Sequence, residues 1–251
     1  MSHHPVIRAT DLVFEYPDGT RALDGLSVEV HDGERVAVLG ADGAGKTTFA
    51  LHLNGLHRAT SGEVAVDGME LSDATVGEIR RRVGHVFQDP DDQLFMPTVA
   101  EDVGFGPANL GVTGHDLEHR IADALGAVGM ADAAGRAPHH LSGGERRRVA
   151  VATVLSMEPS ILVLDEPTSN LDPASRRELV DVLQSLPVAQ LVITHDLPFA
   201  LELCERAIIV SDGRVVADGP TGELLADDAL LRANRLELPF GFDPTSVHVG
   251  S

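Results

Sequence analysis

The sequence predicts an α/β protein: a sheet that is parallel over most of its width, covered by helices, with antiparallel strands at the N-terminal end and an inserted helical subdomain. Three observations carry this. Short apolar, β-branched runs recur between segments of helical spacing, two N-terminal segments alternate apolar and polar residues, and strand-like runs stop between residues 89 and 155.

VIRATDLVFEY (6–16) and ALDGLSVEV (22–30) alternate as half-exposed antiparallel strands do, which predicts a mixed sheet at that end. VAVLG (36–40), EVAVDG (63–68), HVFQ (85–88), ILVLDEP (161–167), LVITHD (191–196) and AIIVSDG (207–213) supply the strands expected in the parallel part. Between 89 and 155 alanine-rich helical segments are punctuated at Pro97, Pro107, Gly111, Gly114, Pro138, Gly143 and Gly144. A short helix is expected around Glu223 to Leu231. Leu236, Leu238, Phe240 and Phe242 then make the closing stretch too apolar for a free tail, so it should pack on the body or on a partner. The expected organisation is an α/β core over 5–88 and 156–225, the inserted helical subdomain over 89–155 and a tail over 226–251.

With 251 residues, 43% of them hydrophobic, the chain can bury a sizeable core. No run approaches the ~18 apolar residues of a membrane span, and the start, MSHHPVIRAT, lacks the apolar core of a secretion signal, so a cytosolic location is expected. The single cysteine, Cys204, excludes an internal disulfide and a cysteine metal cluster, and suits a buried apolar position. A formal charge of −20 repels nucleotides and nucleic acid alike, so a nucleotide site must come from local geometry and nucleic acid is disfavoured as a partner. Aspartate exceeds glutamate and lysine is nearly absent, a pattern that fits either a salt-loving source or a GC-rich genome.

The only lysine, Lys46, lies in GADGAGKT (40–47), a glycine-rich phosphate-binding pattern preceded by a strand and followed by the helical TTFALHLNGL. In that pattern Gly40, Ala41, Asp42, Gly43, Ala44, Gly45, Lys46, Thr47 and Thr48 surround the phosphates of ATP. The amides of 43–47 face the β-phosphate at a helix N-terminus, the ammonium reaches the β- and γ-phosphates, and the Thr47 hydroxyl meets Mg²⁺. Asp42 fits poorly, because a carboxylate there is repelled by phosphate unless it turns outward or pairs with a cation. ILVLDEP places Asp165 at the carboxyl end of a buried strand as a Mg²⁺ ligand through water. Glu166 follows as the group that orients or deprotonates an attacking water.

LSGGE (141–145) narrows this further: a serine and two glycines opening a helix resemble the signature of ATP-binding-cassette ATPases, a branch of the P-loop NTPase fold. The resemblance runs from about Val6 to Phe242 and assigns further roles in family order. Tyr16 matches the aromatic that stacks on adenine, Gln88 the glutamine linking Mg²⁺ to the helical lobe, SNLD (169–172) the D-loop ending in Asp172, and His195 the switch histidine. It implies a head-to-tail pair of cassettes, identical or different. Ser142, Gly143, Gly144, Glu145 and Asp172 of one would then contact ATP held by Lys46 of the other.

Duller readings stand beside these. Tyr16 could simply pack at a strand end, Gln88 close a strand and His195 be structural, while the arginine trios at 80–82 and 146–148 read as solvated helix faces. His115 and His119 have an i, i+4 spacing that suits zinc but lack a third ligand nearby.

FQDPDDQLFMPTVAEDVGFGP (87–107) and the closing LELPFGF resemble the ATP-binding subunits of energy-coupling-factor importers, especially the cobalt and nickel branch. That resemblance implies an ATPase peripheral to the cytoplasmic face of the cell membrane. It would dock on an integral membrane coupling protein beside a substrate-capture component, with Phe95, Met96 and Pro97 lining the docking groove or packing in the core. Vitamin import by the same machinery, or a soluble cassette ATPase acting on a non-membrane partner, are the alternatives. A small-molecule kinase would have no use for LSGGE.

Overall fold

The computed structural model describes residues 5–246; the outermost residues of the MSHH start and of the expected tail lie outside the described residues. Strands β1 (Ile7–Glu15), β2 (Arg21–Val30), β4 (Ser61–Val66) and β5 (Met69–Glu70) form an antiparallel sheet in the order β2-β1-β4-β5. Strands β3 (Arg35–Leu39), β6 (Val83–Val86), β7 (Ile161–Asp165), β8 (Ala189–Ile193), β9 (Arg206–Ser211) and β10 (Arg214–Pro220) form a second sheet in the order β10-β9-β3-β8-β7-β6. That sheet is parallel except at its edge strand β10.

The parallel strands are buried on both faces, and the period of two sends alternate side chains into two cores. From β3, Val36 and Val38 enter the core shared with the antiparallel sheet, while Ala37 and Leu39 face the opposite core with the larger helices. Strand β7 divides likewise, Ile161 and Val163 against Leu162 and Leu164. Helix α1 (Lys46–Leu53) contributes Phe49, Ala50 and Leu53 to the first core, where α2 (Val76–Arg82) adds Ile79. The second core gathers α3 (Val99–Asn109), α4 (Gly114–Ala127), α5 (Gly143–Leu155), α6 (Pro173–Ser185), α7 (Leu197–Leu203), α8 (Thr221–Ala226) and α9 (Asp228–Ala233).

Several expectations change. EVAVDG belongs to the antiparallel sheet, because β4 pairs with β1 rather than with a parallel neighbour. The N-terminal strands therefore form their own sheet, tied to the other where Asp24 N–H donates to Gly213 O at 3.0 Å. The strand expected at HVFQ starts earlier, at Val83. Pro107 does not break α3. Its missing N–H would have bonded Val103 O, and the Ser156 hydroxyl donates there instead at 2.7 Å. The single helix expected after Gly219 is two, divided at Asp227, which caps α9 by accepting from Leu230 N–H at 2.9 Å. Leu236 is buried and Leu238 and Phe242 pack against the core, but Phe240 is fully exposed.

Candidate nucleotide site

The loop between β3 and α1 has its shape because three of its residues are glycine. Gly40, Gly43 and Gly45 have φ of 153°, 78° and 105°. A Cβ on Gly45 would lie 2.5 Å from Ala22 O, so the loop can press against β2 only without a side chain there. Gly45 is the N-cap of α1 and makes no side-chain cap bond, which leaves the helix start to backbone amides. The Lys46 ammonium donates to Gly40 O at 2.8 Å and Ala41 O at 3.0 Å. Burial lowers its pKa, while the charges of Glu166, Asp42 and Asp165 act the other way.

These residues open onto a cavity of about 540 Å³ that gathers groups from across the chain: Tyr16, Arg21, Asp42, Gly43, Gly45, Lys46, Thr47, Thr48, Gln88, Asp165, Glu166 and His195. Tyr16, expected either to serve adenine or to pack, does two things here. Its hydroxyl shares a hydrogen bond with the Thr48 hydroxyl at 2.9 Å, and its ring meets Phe14 edge-on at 4.9 Å, leaving it on the cavity wall.

Asp165 ends β7 almost fully buried. Desolvation raises its pKa, against the Thr47 hydroxyl and the Lys46 charge, which lower it. A buried carboxylate facing a hydroxyl, with the Gln88 side chain on the same cavity, is a hard-oxygen donor set that fits Mg²⁺. Glu166 follows at φ 45°, its N–H bonded to Ile193 O at 2.9 Å. Its Oε1 lies 2.8 Å from His195 Nδ1, and its Oε2 accepts from the Thr194 hydroxyl at 3.2 Å and His195 N–H at 3.4 Å. The Nδ1 edge of the ring faces Glu166, which leaves the Nε2 edge on the exposed side.

Sequence reasoning missed the groups that hold these parts. Thr194 orients Glu166 and also accepts from Asp196 N–H at 3.0 Å. Arg147 was grouped with solvated arginines but is 3% exposed, and donates to Phe87 O at 2.8 Å and Gln88 O at 2.6 Å, clamping the segment that presents Gln88. Gln93 donates to Ala150 O at 2.7 Å and Thr153 Oγ1 at 2.6 Å and accepts from Phe87 N–H at 3.2 Å. Buried Asp102, its pKa raised by desolvation, accepts from Phe95 and Met96 N–H at 3.0 and 2.9 Å. Beyond that clamp Phe95 is 62% and Phe105 44% exposed, their rings edge-to-face at 5.0 Å, and Pro97 is exposed too. The core alternative for Phe95 and Pro97 is thereby excluded.

Ser142 and Glu145 start α5 as a reciprocal cap: Ser142 Oγ accepts from Glu145 N–H at 3.2 Å, and Glu145 Oε2 from Ser142 N–H at 2.7 Å. The Ser142 N–H and then Arg136 hold Glu145 below the usual carboxylate range. A Cβ on Gly144 would lie 2.5 Å from Ser175 Oγ, so glycine lets α5 approach α6 closely. Gly143 lines a neighbouring cavity with Gln88, Ser169 and Asn170, and none of Ser142, Gly143 and Gly144 lines the cavity of Lys46. Asp172 caps α6, accepting from Ala174 N–H at 2.9 Å, Ser175 N–H at 3.1 Å and the Ser175 hydroxyl at 2.6 Å. His119 pairs with Asp123 at 2.7 Å rather than with His115, and among the described residues no cluster of three His, Cys, Asp or Glu is placed to hold a metal.

A family model described as ABC transporter matches residues 23–169. An ABC transporter ATP-binding protein of Streptomyces avermitilis is 64% identical over 247 residues, covering 98% of this chain and 94% of its own. The energy-coupling factor transporter ATP-binding protein EcfA of Methanothermobacter thermautotrophicus is 46% identical over 239 residues, 93% of this chain and 77% of that protein. Among solved structures, CbiO1 from Clostridium perfringens, part of the ABC transporter complex CbiONQ, superposes with a TM-score of 0.83 at 34% identity, over 94% of this chain and 96% of its own. An ATP-binding cassette in a dimeric, post-hydrolysis state with ADP and Pi gives 0.75 at 28% identity, over 86% and 98%. Among the described residues no helix is long and apolar enough to cross a membrane.

Proposed function

Because this chain belongs to the ABC transporter family, as an ATP-binding subunit that hydrolyses ATP, we propose that two such cassettes clasp ATP head to tail and drive an energy-coupling-factor importer. One observation supports the clasp: none of Ser142, Gly143 and Gly144 lines the cavity of the phosphate loop, and Gly143 opens instead onto the adjoining cavity that shares Gln88 and Asp165, so the helix tip that meets the phosphates would come from a second protomer. In that arrangement Lys46 and the loop amides hold the phosphates from one side. Ser142 and the amides of Gly143 and Gly144 meet the γ-phosphate from the other. Glu166, steadied by Thr194 and the His195 backbone, orients the attacking water and takes its proton, with the His195 ring beside it on the same cavity. Mg²⁺ held by Thr47, Gln88 and Asp165 would neutralise charge on the β- and γ-oxygens. Glu145 and Asp172 act by holding the starts of α5 and α6 in register with the facing nucleotide.

The importer assignment draws support from the likeness to EcfA and CbiO1, and from the exposed Phe95–Phe105 pair, whose Phe95 is held by Asp102 a few residues beyond the Phe87–Gln88 stretch that Arg147 clamps. A coupling helix of an integral membrane protein seated there would feel nucleotide state through Gln88. A cobalt or nickel ion, captured by a separate membrane component, is the proposed cargo. Purification of the full chain from its own membranes should retain a polytopic membrane protein, and Phe95→Asp should release it while ATP binding persists. Retention of ribosomes or DNA instead would overturn the importer reading. Uptake of radiolabelled cobalt or nickel that fails to respond to Glu166→Gln, while vitamin uptake does, would move the cargo to a vitamin.

A further inference from the structure

Asp42 puts a carboxylate on the wall of the phosphate cavity, where nucleotide charge repels it. The same residue lines a second cavity, of about 250 Å³, together with Asp212 next to β9 and with Asn234 and Arg235 after α9. Arg235 is the only basic side chain on that cavity, and among the described residues it and Asp42 face it without a direct contact.

The backbone at Arg235 adds an independent observation. Helix α9 closes with Leu236 N–H donating to Leu231 O at 2.9 Å and Arg235 N–H to Arg232 O at 3.2 Å, which places Arg235 at the left-handed position of a helix-ending turn, φ 57°. Glycine is the favoured residue there because a Cβ strains that conformation. Leu231 and Leu236 are both buried, so the turn is anchored on either side and the direction in which residue 235 leaves the backbone is set. The chain keeps a long cationic side chain where the backbone favours none, beside the one acid of the phosphate loop.

We infer that Arg235 is a positioning residue for the phosphate loop: its guanidinium draws the Asp42 carboxylate outward, away from the phosphates, so that nucleotide affinity depends on the docked segment after α9. Asp212 shares the cavity and competes for the same cation, which keeps the attraction modest. The inference rests on the loop binding nucleotide, and the test separates the two.

Mg²⁺–ADP, which is not hydrolysed, is titrated calorimetrically into the full chain at low salt. Arg235→Gly should weaken binding about threefold, the scale of an exposed charge pair. Its melting temperature should hold or rise, because glycine relieves the left-handed residue. Arg235→Lys should bind as wild type. In an Asp42→Asn background, Arg235→Gly should change affinity by less than about 1.5-fold, and at about 0.5 M salt the threefold loss should shrink. An equal loss with and without Asp42, or no loss in the single variant, overturns the inference. A wild-type chain that binds no ADP would instead overturn the nucleotide site itself, before any variant is compared.

Discussion

Ser142 carries two roles that substitution can separate. As the cap of α5 its hydroxyl accepts from Glu145 N–H at 3.2 Å, and its own N–H returns to Glu145 Oε2 at 2.7 Å. Removing the oxygen in Ser142→Ala costs about 1 kcal/mol, which in a chain of this length lowers the melting temperature by roughly 2–4 °C. Asparagine caps a helix as well as serine does, so Ser142→Asn should melt within about 1 °C of wild type. If the hydroxyl also donates to phosphoryl oxygen in the facing protomer, Ser142→Ala loses a donor to developing charge, worth about 3 kcal/mol or 10²–10³ in turnover, whereas Ser142→Asn offers its amide N–H from a displaced position and should lose only part of that. Ser142→Thr keeps the hydroxyl and should keep most of both properties. The assay is phosphate release at saturating Mg²⁺–ATP beside a thermal melt of each variant. Wild-type turnover by Ser142→Ala would reduce Ser142 to a helix cap and refute the clasp.

Glu166→Gln should bind ATP normally, lose about 10²–10⁴ in hydrolysis and elute as an ATP-dependent dimer in gel filtration; a monomeric or fully active variant contradicts the base assignment. Asp42→Asn should change nucleotide affinity little while Arg235 is present and tighten it about threefold in an Arg235→Gly background by titration at low salt; an equal gain in both backgrounds would show that the carboxylate faces the phosphates whatever residue 235 is. His85 is mostly buried on β6 and desolvation pushes its pKa down to about 4 from 6.5, so the fold favours its neutral form. The unfolded chain binds the proton more readily, and the stability due to His85 is therefore whole above about 6.5 and lost as pH falls toward about 4. Urea melts should show a decline on the order of 2 kcal/mol across that window, absent in His85→Gln.

Local features were legible in the residues. The phosphate loop reads directly because its glycines answer backbone demands that arise within a few residues, such as φ 105° at Gly45. Asp165 reads as a strand-end carboxylate because ILVL has no polar face to spare. The Ser142–Glu145 spacing is itself the reciprocal cap. Partners distant in the chain did not read. Nothing in an arginine trio says that the middle one turns inward to two carbonyls sixty residues away, and nothing in EVAVDG says whether its neighbour runs parallel or antiparallel.

What the sequence by itself determined is the chemistry: a strand, a glycine loop and a helix that cradle phosphate, an acidic pair at a buried strand end, and a serine-capped helix. Each of these is set by short-range backbone geometry and the period of apolar residues. Only the tertiary structure decided which of them share a cavity. Packing of β3, β7 and β8 side by side brings Lys46, Asp165 and Glu166 onto one cavity and leaves the tip of α5, with Gly143 on the adjoining cavity, off it. That separation depends on the order of strands in the sheet, which the alternation of side chains along any one strand does not encode.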